Sequence, residues 1–203
     1  MTTDAIEIRR AALADVPFIR QLALVSLVHG IPEGRDVTTE TVAARASESL
    51  KNLEVLVHRR RDCAILVAVD TAREGHRAGY LILEYKHVEE TTGEVQSHVY
   101  DLAVEPDYMR LHVGSRLVGE AARLTHQQGY RYMSAMITAS NERALVGALT
   151  LGFEIERYRL VMPCDANGAV RKSSGRARDR ASDLRRLRGR QDGDDDFTPE
   201  RKP

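Results

Sequence analysis

The chain has 203 residues, 42% of them hydrophobic, and a formal net charge of zero, enough for one domain of about 160 residues with a real core plus an appendage. From Asp165 onward 11 Lys/Arg stand against 8 Asp/Glu, so the body is slightly acidic, which argues against nucleic acid as its main ligand. Two cysteines, Cys63 and Cys164, without a CxxC exclude a disulfide framework, and the seven histidines lack HxH or HxxxH spacing, so no metal is expected. With no long apolar run and with Asp4 and Glu7 near the start, the expectation is a soluble, cytoplasmic chain without membrane contact.

In chain order, Ala5–Ala11 alternates and predicts a first strand. Asp15 is placed to cap a helix whose apolar side is Val16, Ile19, Leu22, Ala23 and Leu27, with Pro17 tolerated in the first turn. Gly30–Asp36 is rich in breakers and predicts a loop, and Thr38–Leu53 predicts a second helix with Thr39 as cap. Glu54–Arg61 reads equally as a helix end or a short strand. Ala64–Asp70 and Ala78–Val88 are apolar runs of strand length, joined by a polar turn over Thr71–Arg77. A further turn over Glu89–Glu94 leads into a strand containing Val99, Leu102 and Val104, which Pro106 stops.

From Val113 the apolar positions 113, 117, 121 and 124 mark one face of a helix, which Gly129 ends. Between strand and helix lies the tight loop Met109–Ser115. A helix start at that point offers unpaired N–H groups and the positive dipole end to a phosphate-type anion. Beyond it, Tyr132–Thr138 predicts a strand, Asn141–Leu151 a helix, and the alternation of Phe153–Met162 a last strand. Residues 165–203 carry nine Lys/Arg against two Asp between Arg171 and Arg190, then the run DGDDD, and too few apolar residues for a core. They predict a disordered tail, with a transient helix over Asp179–Arg188 at most.

The segment from Leu102 to Leu117, LAVEPDYMRLHVGSRL, resembles the central motif of the GNAT superfamily of acetyl-CoA-dependent N-acyltransferases, L-A-V-x-P-x-[YF]-R-x-x-G-x-G-x-x-L. Met109 stands where that pattern has Arg or Gln, His112 replaces its first glycine, and Arg110 can supply the cation. The opening strand with its Ala-Asp, and Asn141, Ala144, Gly152 and Phe153 in the second half, fit the same family. The family's tyrosine, seven residues after Asn141, is here Ala148.

The resemblance covers residues 5–162 and implies an α+β fold: a mostly antiparallel sheet of six to seven strands flanked by about four helices. Together with the composition of the tail, this gives an expected domain over 1–164 and a charged tail over 165–203. The resemblance implies acetyl-CoA as co-substrate, held by the main chain of Leu102, Ala103 and Val104 along the pantetheine arm. The amides of the loop Met109, Arg110, Leu111, His112, Val113, Gly114 and Ser115 would hold the pyrophosphate, and Asn141 would touch the cofactor arm. Chemistry then needs a base for the acceptor's proton, and His98 suits it, since an imidazole titrates near pH 6.5.

Strand alternation puts His98, Tyr100 and Leu102 on one face and Asp101 on the other. Tyr100 is expected to line the acceptor cleft, and Asp101 to position a cationic amine. With Ala148 silent, Tyr158 or Tyr108 remains as the acid, or the thiolate leaves through water. The acceptor is an amine of unspecified class. Two rival readings stay open: a degenerate module that binds acyl-CoA as sensor or scaffold, and an interaction protein whose basic tail docks on nucleic acid. Homodimers through strand edges are common in this family.

Overall fold

The computed structural model describes residues 5–33, 35–59 and 61–162. It divides into two units, residues 1–154 and 155–203. The first contains every helix and strand described: β1 (Ile6–Arg10), α1 (Val16–Ser26), α2 (Thr39–Ser49), α3 (Leu53–His58), β2 (Cys63–Asp70), β3 (His76–Val88), β4 (Val95–Val104), α4 (Val113–Gln127), β5 (Met133–Ala135) and α5 (Glu142–Thr150). In the second unit residues 155–162 carry neither helix nor strand. The expected tail, and the expected domain boundary at 164/165, lie outside the described residues.

The sheet has the spatial order β1-β2-β3-β4-β5. The first four strands are antiparallel neighbours and β5 joins β4 in parallel, after the α4 crossover. Both faces are covered, which explains why β2 is buried at every position and reads as an unbroken apolar run. One face packs Ala64, Leu66, Leu81 and Leu83 against Val113, Leu117, Ala121 and Leu124 of α4. The other packs Ile65, Val67, Tyr80 and Ile82 against Val16, Ile19, Leu22 and Ala23 of α1 and Leu53 of α3. This is an α+β fold with helices on both sides of a mixed, mostly antiparallel sheet.

Two expectations are corrected. Phe153–Met162 forms no strand, so the sheet has five strands among the described residues, not six or seven. Alternation encodes which face a strand would bury, and it cannot supply a ladder partner; the last strand of the sheet, β5, offers only three residues. Of the segment Glu54–Arg61, residues 54–58 belong to the helix α3, which Leu53 anchors in the core. Thr38 rather than Thr39 caps α2, its hydroxyl accepting the Thr41 N–H.

Gly79 is required by close approach. A Cβ there would stand 2.8 Å from the Ala103 carbonyl oxygen and 3.2 Å from the Val104 Cα, both backbone atoms of β4. We expect Gly79→Ala to lower stability by about 1–3 kcal/mol, measured by denaturant unfolding, because the strand pair must spread to admit the methyl. An unchanged midpoint would show that β4 gives way freely.

Candidate active site

The candidate site is built on β4, whose two halves have different neighbours. Ser97, His98 and Val99 pair with Met133, Ser134 and Ala135 of β5, and there the β4–β5 ladder stops. From Asp101 onward β4 stays paired with β3 alone. Glu105 N–H donates to the Ala78 carbonyl at 2.9 Å, and the register then runs Val104 to Gly79, Ala103 to Tyr80, Leu102 to Leu81. Hydrogen bonding alternates along an antiparallel ladder, so Ala103 exchanges bonds with Tyr80 while the N–H groups of Leu102 and Val104 point away from β3, toward the open edge.

At the end of this edge comes the loop. Pro106–Tyr108 makes a 3-10 turn, Tyr108 N–H bonding to Glu105 and Met109 N–H to Pro106 at 3.3 Å. Leu111 N–H bonds to Tyr108 at 3.1 Å. The amides of Met109 and Leu111 are therefore already engaged, and Leu111 instead packs its side chain on the core. His112 is the residue before α4 and takes the left-handed conformation, φ 56° and ψ 21°, where the resembling pattern has glycine. The first bond of α4 runs from Arg116 N–H to the His112 carbonyl, which leaves Val113, Gly114 and Ser115 in the first turn with N–H groups directed out of the helix end. Val113 is fully buried and anchors that turn.

The left-handed backbone is costly for a residue with a Cβ. His112→Gly should therefore raise stability by about 1 kcal/mol, read as a higher denaturant midpoint. A lower midpoint would mean that the exposed imidazole makes contacts worth more than the strain.

The strongest departure from the sequence expectation lies in β4 itself. The register pairs Asp101 with Ile82 but Val99 with Leu83, so Tyr100 is the extra residue of a β-bulge. The bulge reverses the alternation across it. His98 stands opposite Glu84 and Asp101 opposite Ile82, so both lie on the α1 face, while Leu102 falls on the α4 face with Leu81. His98 and Asp101 are thus brought together on one face, contrary to the expected separation, and Leu102 is removed from it. Tyr100, in the bulge, is half-exposed.

Each of the two side chains has partners that the sequence did not reveal. The Asp101 carboxylate accepts the Tyr80 hydroxyl at 2.5 Å. Burial pushes the Asp101 carboxyl up, and the Tyr80 hydroxyl and the Leu102 N–H partly offset this. Burial, then the Asp101 charge, pushes the Tyr80 phenol far up, so it stays a hydrogen-bond donor. His98 is buried, with Nδ1 at 3.0 Å from the Ser134 hydroxyl and its ring stacked on His87 at 4.5 Å. Burial, then His87, pushes the His98 pKa below that of an ordinary histidine, so it is neutral at neutral pH. Tyr80 could have been suspected from the alternation of β3; Ser134 could not, because its role depends on the β4–β5 register.

The remaining candidates are placed less favourably. Asn141 caps α5, its Oδ1 accepting the Ala144 N–H at 3.2 Å, so a contact to a cofactor arm falls to its amide nitrogen. The Tyr108 hydroxyl is buried and donates to Asp70 at 2.9 Å, with His76 stacked on its ring, which assigns it to packing rather than to acid catalysis. Tyr158 belongs to the second unit and is half-exposed. Among the described residues no helix is long and apolar enough to cross a membrane.

The profile of the acetyltransferase (GNAT) family matches residues 35–153. No curated protein matches the chain. Among solved structures, a Pyrococcus furiosus protein assigned as an acetyl transferase is similar at a TM-score of 0.63 and 15% identity, covering 78% of this chain and 99% of its own. An aminoglycoside 6'-N-acetyltransferase from Acinetobacter baumannii is similar at 0.56 and 16%, over 79% and 98%. A transcriptional regulator from Bacillus halodurans is similar at 0.57 and 17%, over 78% and 99%. These likenesses are of fold, and they agree with the family match, which spans more than half of the sequence and carries the strand, loop and helix described above. The chain belongs to the GNAT acetyltransferase family.

Proposed function

We propose that this protein is an acetyl-CoA-dependent N-acetyltransferase that acylates a primary amine by direct attack, without a covalent enzyme intermediate. The observation that carries the reading is the open edge of β4 from Tyr100 to Val104, running from the His98–Asp101 face to the start of α4. Acetyl-CoA, when bound, supplies the activated acyl thioester. The residues present fit it: the edge N–H of Val104, together with that of Leu102, which it shares with the Asp101 carboxyl, binds an extended amide-bearing arm as an added strand would, and one of them polarises a carbonyl. The first-turn amides of Val113, Gly114 and Ser115, with those of Arg110 and His112, hold a diphosphate, and Arg110 supplies the cation that Met109 does not.

On the α1 face His98 takes the proton from the acceptor, and Asp101 and Tyr100 position the amine. A simple alkylamine is mostly protonated at neutral pH, so a neutral imidazole beside a carboxylate suits both the cationic and the free form. The proton owed to the leaving sulfur comes from Tyr158 or from water, since Ala148 has no hydroxyl and that of Tyr108 is held by Asp70. That missing hydroxyl also favours a second reading, a module that binds acyl-CoA without efficient turnover. We assign the catalytic domain to residues 1–164 and the charged tail to 165–203.

Calorimetry with acetyl-CoA on the full chain, followed by thiol release against a panel of amino acids, peptides and aminoglycosides, tests the proposal. The last class is the one named for several of the structural neighbours. Binding with turnover on any panel member supports the transferase and identifies its acceptor class. Tight binding without turnover on all of them transfers the weight to the sensor. No binding removes the functional reading and leaves the fold intact.

A further inference from the structure

A half-buried hydroxyl stands behind His98, and its hydrogen-bond count decides which ring nitrogen carries the proton. Ser134 is the direct β5 partner of His98. Its Oγ has three polar neighbours: His98 Nδ1 at 3.0 Å, Gln96 Nε2 at 3.1 Å and the Ser97 carbonyl at 3.4 Å. Gln96, Ser97 and His98 are buried and Ser134 is half-buried, so the three partners are expected to satisfy one another within the protein. A hydroxyl has one proton to give and two lone pairs.

The Ser97 carbonyl can only accept, and the Gln96 amide nitrogen can only donate. All three contacts are satisfied together in one arrangement alone: Ser134 gives its proton to Ser97, accepts from Gln96, and accepts again from His98 Nδ1–H. With the Gln96 amide turned over, its oxygen would take the Ser134 proton, and Nδ1 would again have to donate. A neutral imidazole has one N–H, so Nε2 then keeps the lone pair. On β3, the Lys86 bulge (φ 61°) sets His87 opposite Gln96, on the same face, with its ring against that of His98 at 20°. The groups facing His98 are therefore Glu84 and His87 from β3 and Ser134 from β5, and of these Ser134 alone lies within hydrogen-bond distance of Nδ1 in the geometry observed.

We propose that Ser134, held by Gln96, fixes His98 as the Nδ1–H tautomer and is thereby a positioning residue for proton transfer at Nε2. The positioning role rests on the reading of His98 as base; the tautomer does not. The test is long-range 1H–15N NMR on the full chain labelled in its histidines, at a pH where His98 is neutral, with His98→Gln identifying its signals. The expected result is a pyrrole-type nitrogen at Nδ1 and a pyridine-type nitrogen at Nε2.

Ser134→Ala should abolish that preference and lower thiol release from acetyl-CoA about tenfold, with KM for acetyl-CoA unchanged. Ser134→Thr, which keeps the hydroxyl, should restore both. An Nε2–H tautomer in the unaltered protein overturns the proposal, and it can be read even if Ser134→Ala does not fold. An unchanged tautomer in a folded Ser134→Ala also overturns it. The expected tautomer with turnover indifferent to both Ser134→Ala and His98→Gln overturns the positioning role and, separately, the base assignment on which it stands.

Discussion

His98→Gln is expected to lower turnover by about a hundredfold or more while leaving acetyl-CoA affinity nearly unchanged. A positioned base contributes about 10²–10⁴ in rate, and glutamine cannot accept the proton. Affinity should hold because the groups proposed to bind the co-substrate are main-chain amides of β4 and the start of α4, which the substitution does not touch. The pH profile is the sharper readout. Burial and then His87 push the His98 pKa down, so turnover should rise with pH through a value below about 6.5 and be flat at neutrality. The variant should lose that rise. The same shift has a stability consequence of definite sign. The folded state holds His98 neutral more readily than the unfolded chain does, so the unfolded chain binds the extra proton and stability falls as pH drops below the unfolded value. A variant whose pH–rate profile matches that of the unaltered protein would remove His98 as base.

The contrast between β4 and the loop after it shows which parts of this site a sequence can disclose. The loop was legible because its geometry is local: Pro106 ends a strand, an amphipathic period starts at Val113, and the backbone between them has few options. Even the left-handed residue was legible as a position, since His112 stands where glycine is used to reach that region. The bulge at Tyr100 was not. SHVYDLAV reads as a uniform strand, and only the register against β3 shows that Val99 meets Leu83 while Asp101 meets Ile82. A one-residue slip exchanges faces for every later side chain, so a single bulge moved Asp101 to the side of His98 and Leu102 away from it. The partners Tyr80 and Ser134 are remote in sequence from the residues they hold, and periodicity carries no information about such pairs. Phe153–Met162 fails for the opposite reason: the local pattern is strand-like, but a strand exists only where a neighbour completes its hydrogen bonds.

Asp15→Ala is expected to be strongly destabilising, by about 3 kcal/mol, and to lower the melting temperature by about 6–12 °C. The sequence reads Asp15 as a helix cap, and it does occupy the position before α1, but its side chain makes no cap bond there. Instead the carboxylate, fully buried, accepts Arg9 through both oxygens at 2.7 and 3.0 Å, Arg77 at 2.5 Å and the Ala12 N–H at 2.8 Å. Arg9 and Arg77 stand opposite Val67 and Val69 of β2, on the α1 face, so this one carboxylate ties β1, β3 and the start of α1 together.

Its removal leaves two guanidinium groups aimed at an empty buried position. Because each is about a third exposed, water relieves part of that cost, which argues for the low end of the range for a broken buried pair. Burial alone would push the Asp15 carboxyl up, but Arg9, the Ala12 N–H and Arg77 outweigh it and hold it well below the usual carboxylate range. The stabilisation is therefore complete above the unfolded pKa, near 3.9, and is lost as pH falls below that toward the folded value. Unfolding monitored between pH 7 and pH 3 should show the two proteins converging in acid. A constant gap across that range would mean that the loss comes from packing at the start of α1, not from the charge of Asp15.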